Sequence, residues 1–130
     1  VQYQILAEIS RLQEKYQTAI LLVSHDLTII AQLADEVAVM YCGYLVEKAP
    51  VMELFDNPLH PYTQALMDSR PGLHKKRLQP IQGQVPSLGS LNGQCPFLSR
   101  CQRVGKECSE YNLQAVNKGQ NHLVRCVKYL

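Results

Sequence analysis

A histidine and an aspartate, His25 and Asp26, stand directly after a short apolar run and could do phosphate chemistry. The run, TAILLV at residues 18–23, has the length and composition of a strand buried on both faces of a parallel sheet. Ligands bind at the carboxyl ends of such strands, where an imidazole can contact a phosphate oxygen or an attacking water. The pair could instead only cap the following helix, because the tripeptide SHD alone is a weak signal.

Four cysteines form the second group with possible chemistry, and they lie in the last third of the chain: Cys95, Cys101, Cys108 and Cys126. Four thiolates can hold tetrahedral Zn²⁺ or an iron–sulfur cluster, and either would help a loop-rich segment with few apolar residues to fold. The usual zinc spacing is absent, and gaps of five, six and seventeen residues suit the wider perimeter of a 4Fe–4S cluster. Free structural thiols and disulfides are the alternatives. We expect nearby cations to offset part of a cluster's charge (Arg100, Arg103, Lys106) and His122 to lie on the surface.

Composition limits the classes of protein to consider. The chain has 130 residues, 46% of them hydrophobic, which is about one ordinary domain with a core. The net charge of +2 and the scattered Lys and Arg residues do not favour a nucleic-acid partner. The densest basic run, residues 75–77, is interpreted as a solvated linker. No run of about 18 apolar residues could span a membrane, and the first residue, Val1, suits a processed protein or a fragment.

Periodicity predicts an α/β layered domain in the first part of the chain. An apolar stripe at helical spacing (Ile5, Ile9, Leu12, Tyr16) predicts an amphipathic helix over residues 3–16. A second helix is expected over residues 27–34, with Asp26 as its N-cap. Two β-rich runs that flank Cys42-Gly43 predict a hairpin.

Prolines are expected to begin two further helices and to mark the end of this part. Pro50 precedes VMELFD, and Pro61 begins PYTQALMDS, with His60 near its N-cap and Tyr62 packed inward. The composition then becomes rich in Pro and Gly. We therefore divide the chain at residue 70, with a loop-rich, cysteine-containing part over residues 71–130.

The order of these elements resembles the end of an ABC-transporter ATP-binding subunit, a P-loop ATPase. The likeness is carried by TAILLVSHDL, by ADEVAVMYCGYLVE and by the helix after Pro50. In that family the histidine of the SHD segment contacts the γ-phosphate of ATP, so the resemblance implies a catalytic and ATP-binding role for His25. The segment VMYCGYLVE is similar to the family's VMYAGRIVE, with Cys42 where a small residue is common.

Later segments narrow the resemblance to oligopeptide and dipeptide importers, with antimicrobial-peptide importers as a close branch. PLHPYTQAL at residues 58–66 is similar to their HPYT signature. IQGQVPSL at residues 81–88 and GQCPFLSRC at residues 93–101 are similar to their C-terminal extension. The resemblance implies a 4Fe–4S cluster on the four cysteines, with zinc as the alternative. It disfavours disulfides, because such a subunit works in the reducing cytosol.

Several ATPase motifs are absent from the chain. A phosphate-binding loop GxxxxGK(S/T) is needed to hold ATP by backbone N–H groups and a lysine, and the sequence has none. The Gln loop and the signature motif are also absent, and VQYQILAEI resembles the segment just after the family's D-loop. We therefore expect a C-terminal fragment that alone neither binds ATP well nor hydrolyses it.

The resemblance implies a full-length peptide-transporting ATPase that uses ATP and Mg²⁺ at the cytoplasmic face of the inner membrane, as a peripheral protein. Its implied partners are a second ATP-binding subunit, transmembrane permease subunits and, indirectly, a periplasmic or extracellular peptide-binding protein. The alternative function is a metal- or iron–sulfur-binding regulatory module without ATPase activity of its own.

Overall fold

A computed structural model of the protein describes residues 2–69, 80–87, 89, 91, 93–109 and 114–130. The chain divides into two compact units, Val1–Asp35 and Glu36–Leu130. The domain boundary expected at residue 70 lies outside the described residues. No helix in the described ranges has the length and apolarity needed to cross a membrane.

The first unit contains two helices, α1 (Gln2–Tyr16) and α2 (Leu27–Leu33), close to the bounds that periodicity predicts. Asp26 is the N-cap of α2, as expected. Its Oδ1 atom accepts hydrogen bonds from the backbone N–H groups of Thr28 at 2.8 Å and Ile29 at 3.4 Å. These bonds satisfy two of the amides that a helix leaves unpaired at its first turn.

The predicted buried strand over residues 18–23 is not formed, so that prediction is wrong for this chain. The segment has no regular secondary structure, and Leu21 and Val23 are 93% and 90% exposed. A strand persists only where a neighbouring strand pairs with its backbone N–H and C=O groups. None of the described strands pairs with this segment, so its apolar residues have nothing to be buried against.

The second unit is built on an antiparallel sheet of four strands in the order β1-β2-β4-β3. β1 (Glu36–Tyr41) and β2 (Tyr44–Pro50) form the predicted hairpin. Two short strands that the sequence did not predict, β3 (Val116–Asn117) and β4 (Leu123–Val124), extend the sheet along β2. The parallel arrangement that we expected is therefore not present among the described strands.

The hairpin turn and a bulge decide which side chains of the hairpin are buried. Cys42 and Gly43 have φ values of +48° and +79°, as a tight two-residue turn requires. The register shifts between Val39 and Met40, and this leaves Val46 as an extra residue in β2. As a result Val46 and its neighbour Glu47 are both 1% exposed, although adjacent residues of a regular strand face opposite sides.

Helices α3 (Val51–Asp56) and α4 (Pro61–Asp68) follow β2, where the prolines predict them. α3 packs on both strands of the hairpin, and its Leu54 is fully buried. The remaining described residues of the unit include three short 3₁₀ turns: Leu98–Arg100, Lys106–Cys108 and Val127–Tyr129. The fold is thus mixed α/β, as expected.

Candidate functional site

His25 lies in the first unit, immediately before the N-cap of α2, and its side chain is exposed. The confirmed cap at Asp26 explains the second residue of the pair by local helix chemistry alone. The role of His25 toward ATP stays a prediction, and His25 is not part of the cysteine site described below.

All four cysteines of the last third line one pocket in the second unit: Cys95, Cys101, Cys108 and Cys126. Their thiols are free. Cys108 and Cys126 are buried, and Cys95 and Cys101 are half-buried. The structure therefore brings together, from three loops and the segment after β4, the set of thiols that the sequence singles out. Disulfides between them are absent.

Each of the four sulfurs accepts a hydrogen bond from a backbone amide. The donors are Phe97 to Cys95, Arg103 to Cys101, Gly105 to Cys108 and Lys128 to Cys126. The N···S distance is 3.4 Å at both Cys101 and Cys108. Amides that point at sulfur stabilise a thiolate more than a neutral thiol, so these four hydrogen bonds favour the deprotonated form.

Burial of the thiols nevertheless disfavours thiolates. Burial raises the pKa of Cys95 to about 11, and it also raises the pKa of Cys101 and Cys126. The neighbouring thiols act in the same direction, because each thiolate would repel the next. The thiols of Cys95, Cys101 and Cys126 are therefore neutral at pH 7, and a cationic group that binds them must displace protons.

The donor set and the hydrogen bonds fit a thiolate-bound group, but the sulfurs do not converge on a single ion. Among the described residues, no group of three or more His, Cys, Asp or Glu side chains has an arrangement that could hold a metal ion. A mononuclear zinc site needs four sulfurs at about 2.3 Å from one centre.

Of the three cations expected near the cysteines, Arg103 lines the pocket, whereas Arg100 and Lys106 are not among its lining residues. Lys128, which the sequence analysis did not single out, also lines the pocket and forms an ion pair with Glu107. Arg100 points elsewhere: it donates to the carbonyl groups of Ile81 and Gln82, at 3.0 Å each, and to the Tyr41 hydroxyl at 3.2 Å. Its role is to hold a loop against the end of β1.

His60 lies at the junction of α4 and the pocket. It is the N-cap of α4, and its Nδ1 atom accepts a hydrogen bond from the Tyr62 backbone N–H at 3.1 Å, as the sequence predicts. The ring is 1% exposed, lines the cysteine pocket and hydrogen-bonds to the backbone of Arg125. Burial lowers the pKa of His60 to about 4, and the Arg125 bond offsets only part of that effect.

An aromatic cluster forms one wall behind the pocket. The Phe97 ring, which is 2% exposed, stands edge-on to Tyr41 with centroids 5.2 Å apart, and it lies 5.3 Å from Tyr62. Tyr41 and Tyr62 also pack together at 4.6 Å. The inward packing of Tyr62 is confirmed, and the cluster joins the hairpin, α4 and the cysteine loops.

A buried pair that the sequence analysis missed connects these parts. Glu47 accepts from the backbone N–H groups of Leu59 at 2.7 Å and His60 at 2.9 Å. Its Oε1 atom also lies 2.7 Å from Nε2 of His122. The expectation that His122 lies on the surface is wrong: it is 2% exposed, because Glu47 and, at 3.5 Å, Glu53 supply polar partners inside the fold.

The fold and the site define a mixed α/β protein with a four-cysteine pocket beside its HPYT helix. Residues 46–108 match the family described as oligopeptide/dipeptide transporter, C-terminal region. The resemblance of the chain to the ATP-binding subunits of peptide transporters is confirmed.

Curated relatives extend the similarity to nearly the whole chain. The oligopeptide transport ATP-binding protein AppD of Bacillus subtilis is 38% identical over 99% of this chain. The peptide transport system ATP-binding protein SapD of Escherichia coli is 40% identical over 96%, and OppD of Lactococcus lactis is 41% identical over 96%. The chain spans only 40%, 39% and 38% of the lengths of these proteins.

Proposed function

We propose that the chain is part of the ATP-hydrolysing subunit that powers ABC-type import of peptides across the cytoplasmic membrane. The observation that carries the proposal is the match to named peptide transport ATP-binding proteins over 96% to 99% of the chain. The whole subunit would use ATP and Mg²⁺ and sit peripherally on the cytoplasmic face of the membrane. It would act with a second ATP-binding subunit and transmembrane permeases, and a peptide-binding protein would deliver the cargo.

His25 would act in this subunit as the residue that contacts the γ-phosphate or orients the attacking water. Its exposed position just before α2 leaves the imidazole accessible to a nucleotide held by other segments. The exposed apolar segment at residues 18–23 supports the same proposal, because it suits a strand that neighbouring strands of the whole subunit would cover.

The test is hydrolysis by the full-length subunit carrying His25→Ala. We expect ATP turnover to fall by about a hundredfold or more, the usual scale for a positioned acid–base or electrostatic group. ATP affinity should be retained, because a phosphate loop holds the nucleotide in P-loop ATPases. Asp26→Asn, which keeps an N-cap, is the matched control. Turnover close to wild type in His25→Ala would remove the assigned role.

The finer proposal is that the four cysteines hold a 4Fe–4S cluster. Four free thiols that line one pocket, each with an amide donor to its sulfur, support a thiolate-bound group. The gaps of five, six and seventeen residues between the cysteines, together with the resemblance to peptide-importer ATPases, favour a cluster over zinc. A bound cluster would supply a redox-active cross-link between the loops, and Arg103 and Lys128 would offset its charge.

Anaerobic protein prepared with iron and sulfide tests this proposal. Metal analysis should give about four iron atoms per chain, with broad absorption near about 400 nm. Cys101→Ser should abolish iron uptake, while Cys42→Ser, at the hairpin turn, should leave it intact. One zinc and no iron per chain would replace the cluster with a structural zinc site, and protein without metal would leave four structural thiols.

A further inference from the structure

Glu47 is a buried carboxylate whose oxygens are occupied by hydrogen-bond donors. It is 1% exposed, and a buried charge is tolerated only where it is paired and hydrogen-bonded. The three donors come from distant parts of the chain: the amides of Leu59 and His60, and Nε2 of His122, 75 positions away. Glu47 therefore ties β2 to the start of α4 and to the segment before β4.

The hydrogen bonds of Glu47 reach the cysteine pocket by two routes, and the first route runs through His60. The Glu47 carboxylate accepts from the His60 backbone N–H at 2.9 Å, and this bond fixes the residue whose ring lines the pocket. The same ring caps α4 through Nδ1 and bonds to the Arg125 backbone. Because all the polar groups of His60 are used, the position of its ring follows the position of Glu47.

The second route runs from Glu47 through His122 and β4 to Cys126. His122 immediately precedes β4, which pairs with β2 so that Glu47 lies opposite Val124. The next residue, Arg125, donates its backbone N–H to Val46 at 2.8 Å and its Nε–H to Leu45 at 2.9 Å. Cys126 follows directly, so the pair Glu47–His122 and these bonds together set where its sulfur stands.

We propose that Glu47 is a positioning residue of the cysteine site, which fixes where the His60 ring and the Cys126 sulfur stand in the pocket. This positioning role rests on the function proposed for the pocket. Its effect on the thiols can nevertheless be measured in metal-free protein. It depends on the negative charge and two oxygens of Glu47, and not only on the volume of the side chain.

The variant Glu47→Gln separates charge from volume. An amide has one acceptor oxygen. With that oxygen in the place of Oε1, the NH₂ group faces the His60 N–H, and two donors meet. With the oxygen in the place of Oε2, the NH₂ group faces the Leu59 N–H instead. Either orientation leaves a buried backbone amide without its acceptor and loosens the start of α4.

The first measurement uses the metal-free, reduced full-length subunit in a Cys42→Ser background. The rate of alkylation at each remaining thiol is followed by peptide mass spectrometry. We expect Cys126 and Cys108, both buried, to react at least about tenfold faster in Glu47→Gln, because local opening exposes them. Glu36→Gln is the matched control: Glu36 is on the other strand of the hairpin, in a half-exposed pair with Lys48 at 2.9 Å.

The second measurement uses the same proteins after anaerobic reconstitution. Retention of iron against a chelator should weaken by about tenfold or more in Glu47→Gln, the usual scale for residues that orient metal ligands. The electron paramagnetic resonance spectrum of the reduced cluster should also change. His122→Ala keeps the Glu47 bonds to α4, so it should speed alkylation of Cys126 and leave Cys95 near the wild-type rate.

The outcomes distinguish the two proposals. Alkylation rates in Glu47→Gln equal to those of Glu36→Gln overturn the positioning role, whether or not the protein binds iron. A wild-type protein that takes up no iron, with faster alkylation in Glu47→Gln, overturns the cluster and leaves the positioning of the thiols established. If Glu47→Gln does not fold, His122→Ala decides: equal acceleration at all four thiols means general unfolding and refutes the proposal.

Discussion

Acid should destabilise the second unit through His60, and the size of the effect can be worked out. Burial lowers the pKa of His60 from 6.5 to about 4 in the folded protein, so the unfolded chain binds more protons between these values. Stability therefore falls as pH drops from about 6.5 towards about 4. The whole shift corresponds to about 3 kcal/mol, and about 2 kcal/mol of it is lost by about pH 5.

The assay is urea unfolding of the metal-free, reduced chain, followed by far-ultraviolet circular dichroism at about pH 7 and about pH 5. His60→Asn is the comparison, because Asn is a good N-cap but does not titrate. Other titrating groups are common to both proteins and cancel in the difference. We expect the wild type to lose about 2 kcal/mol more than the variant. Equal losses in the two proteins would show that His60 is not held neutral by burial.

Two further predictions concern the packing around α4. Phe97→Ala should lower the free energy of unfolding by about 3–5 kcal/mol in urea, because its ring is 2% exposed and contacts Tyr41 and Tyr62; a loss below about 1 kcal/mol would contradict the cluster. Thr63→Val should raise the free energy of unfolding by about 1 kcal/mol or more, because the buried Thr63 hydroxyl has no partner among the described residues; a loss of stability would reveal an unseen partner.

Local chemistry made part of the fold predictable. The hairpin turn at Cys42-Gly43 needs two residues at positive φ, and the glycine in this pair indicates such a turn. The caps at Asp26 and His60 are made within three residues of the chain. Such features depend on neighbours in sequence, and they were predicted correctly together with their helices.

Features that depend on distant partners were not predictable. Residues 18–23 have the composition of a buried strand, but composition does not supply a neighbouring strand, and the segment remains exposed. The burial of Glu47 depends on a bulge in β2 that leaves no mark in the sequence. His122 is buried because of a carboxylate 75 positions away, and no periodicity carries that information.

The HPYT segment illustrates how a short motif can identify a family without doing its chemistry. Pro61 begins α4, His60 caps it and lines the cysteine pocket, and Tyr62 packs against Tyr41 and Phe97. Each residue thus connects a different pair of parts, so a substitution at any of them disturbs the hairpin and the pocket together. The motif therefore acts as a structural junction between the hairpin, α4 and the cysteine pocket.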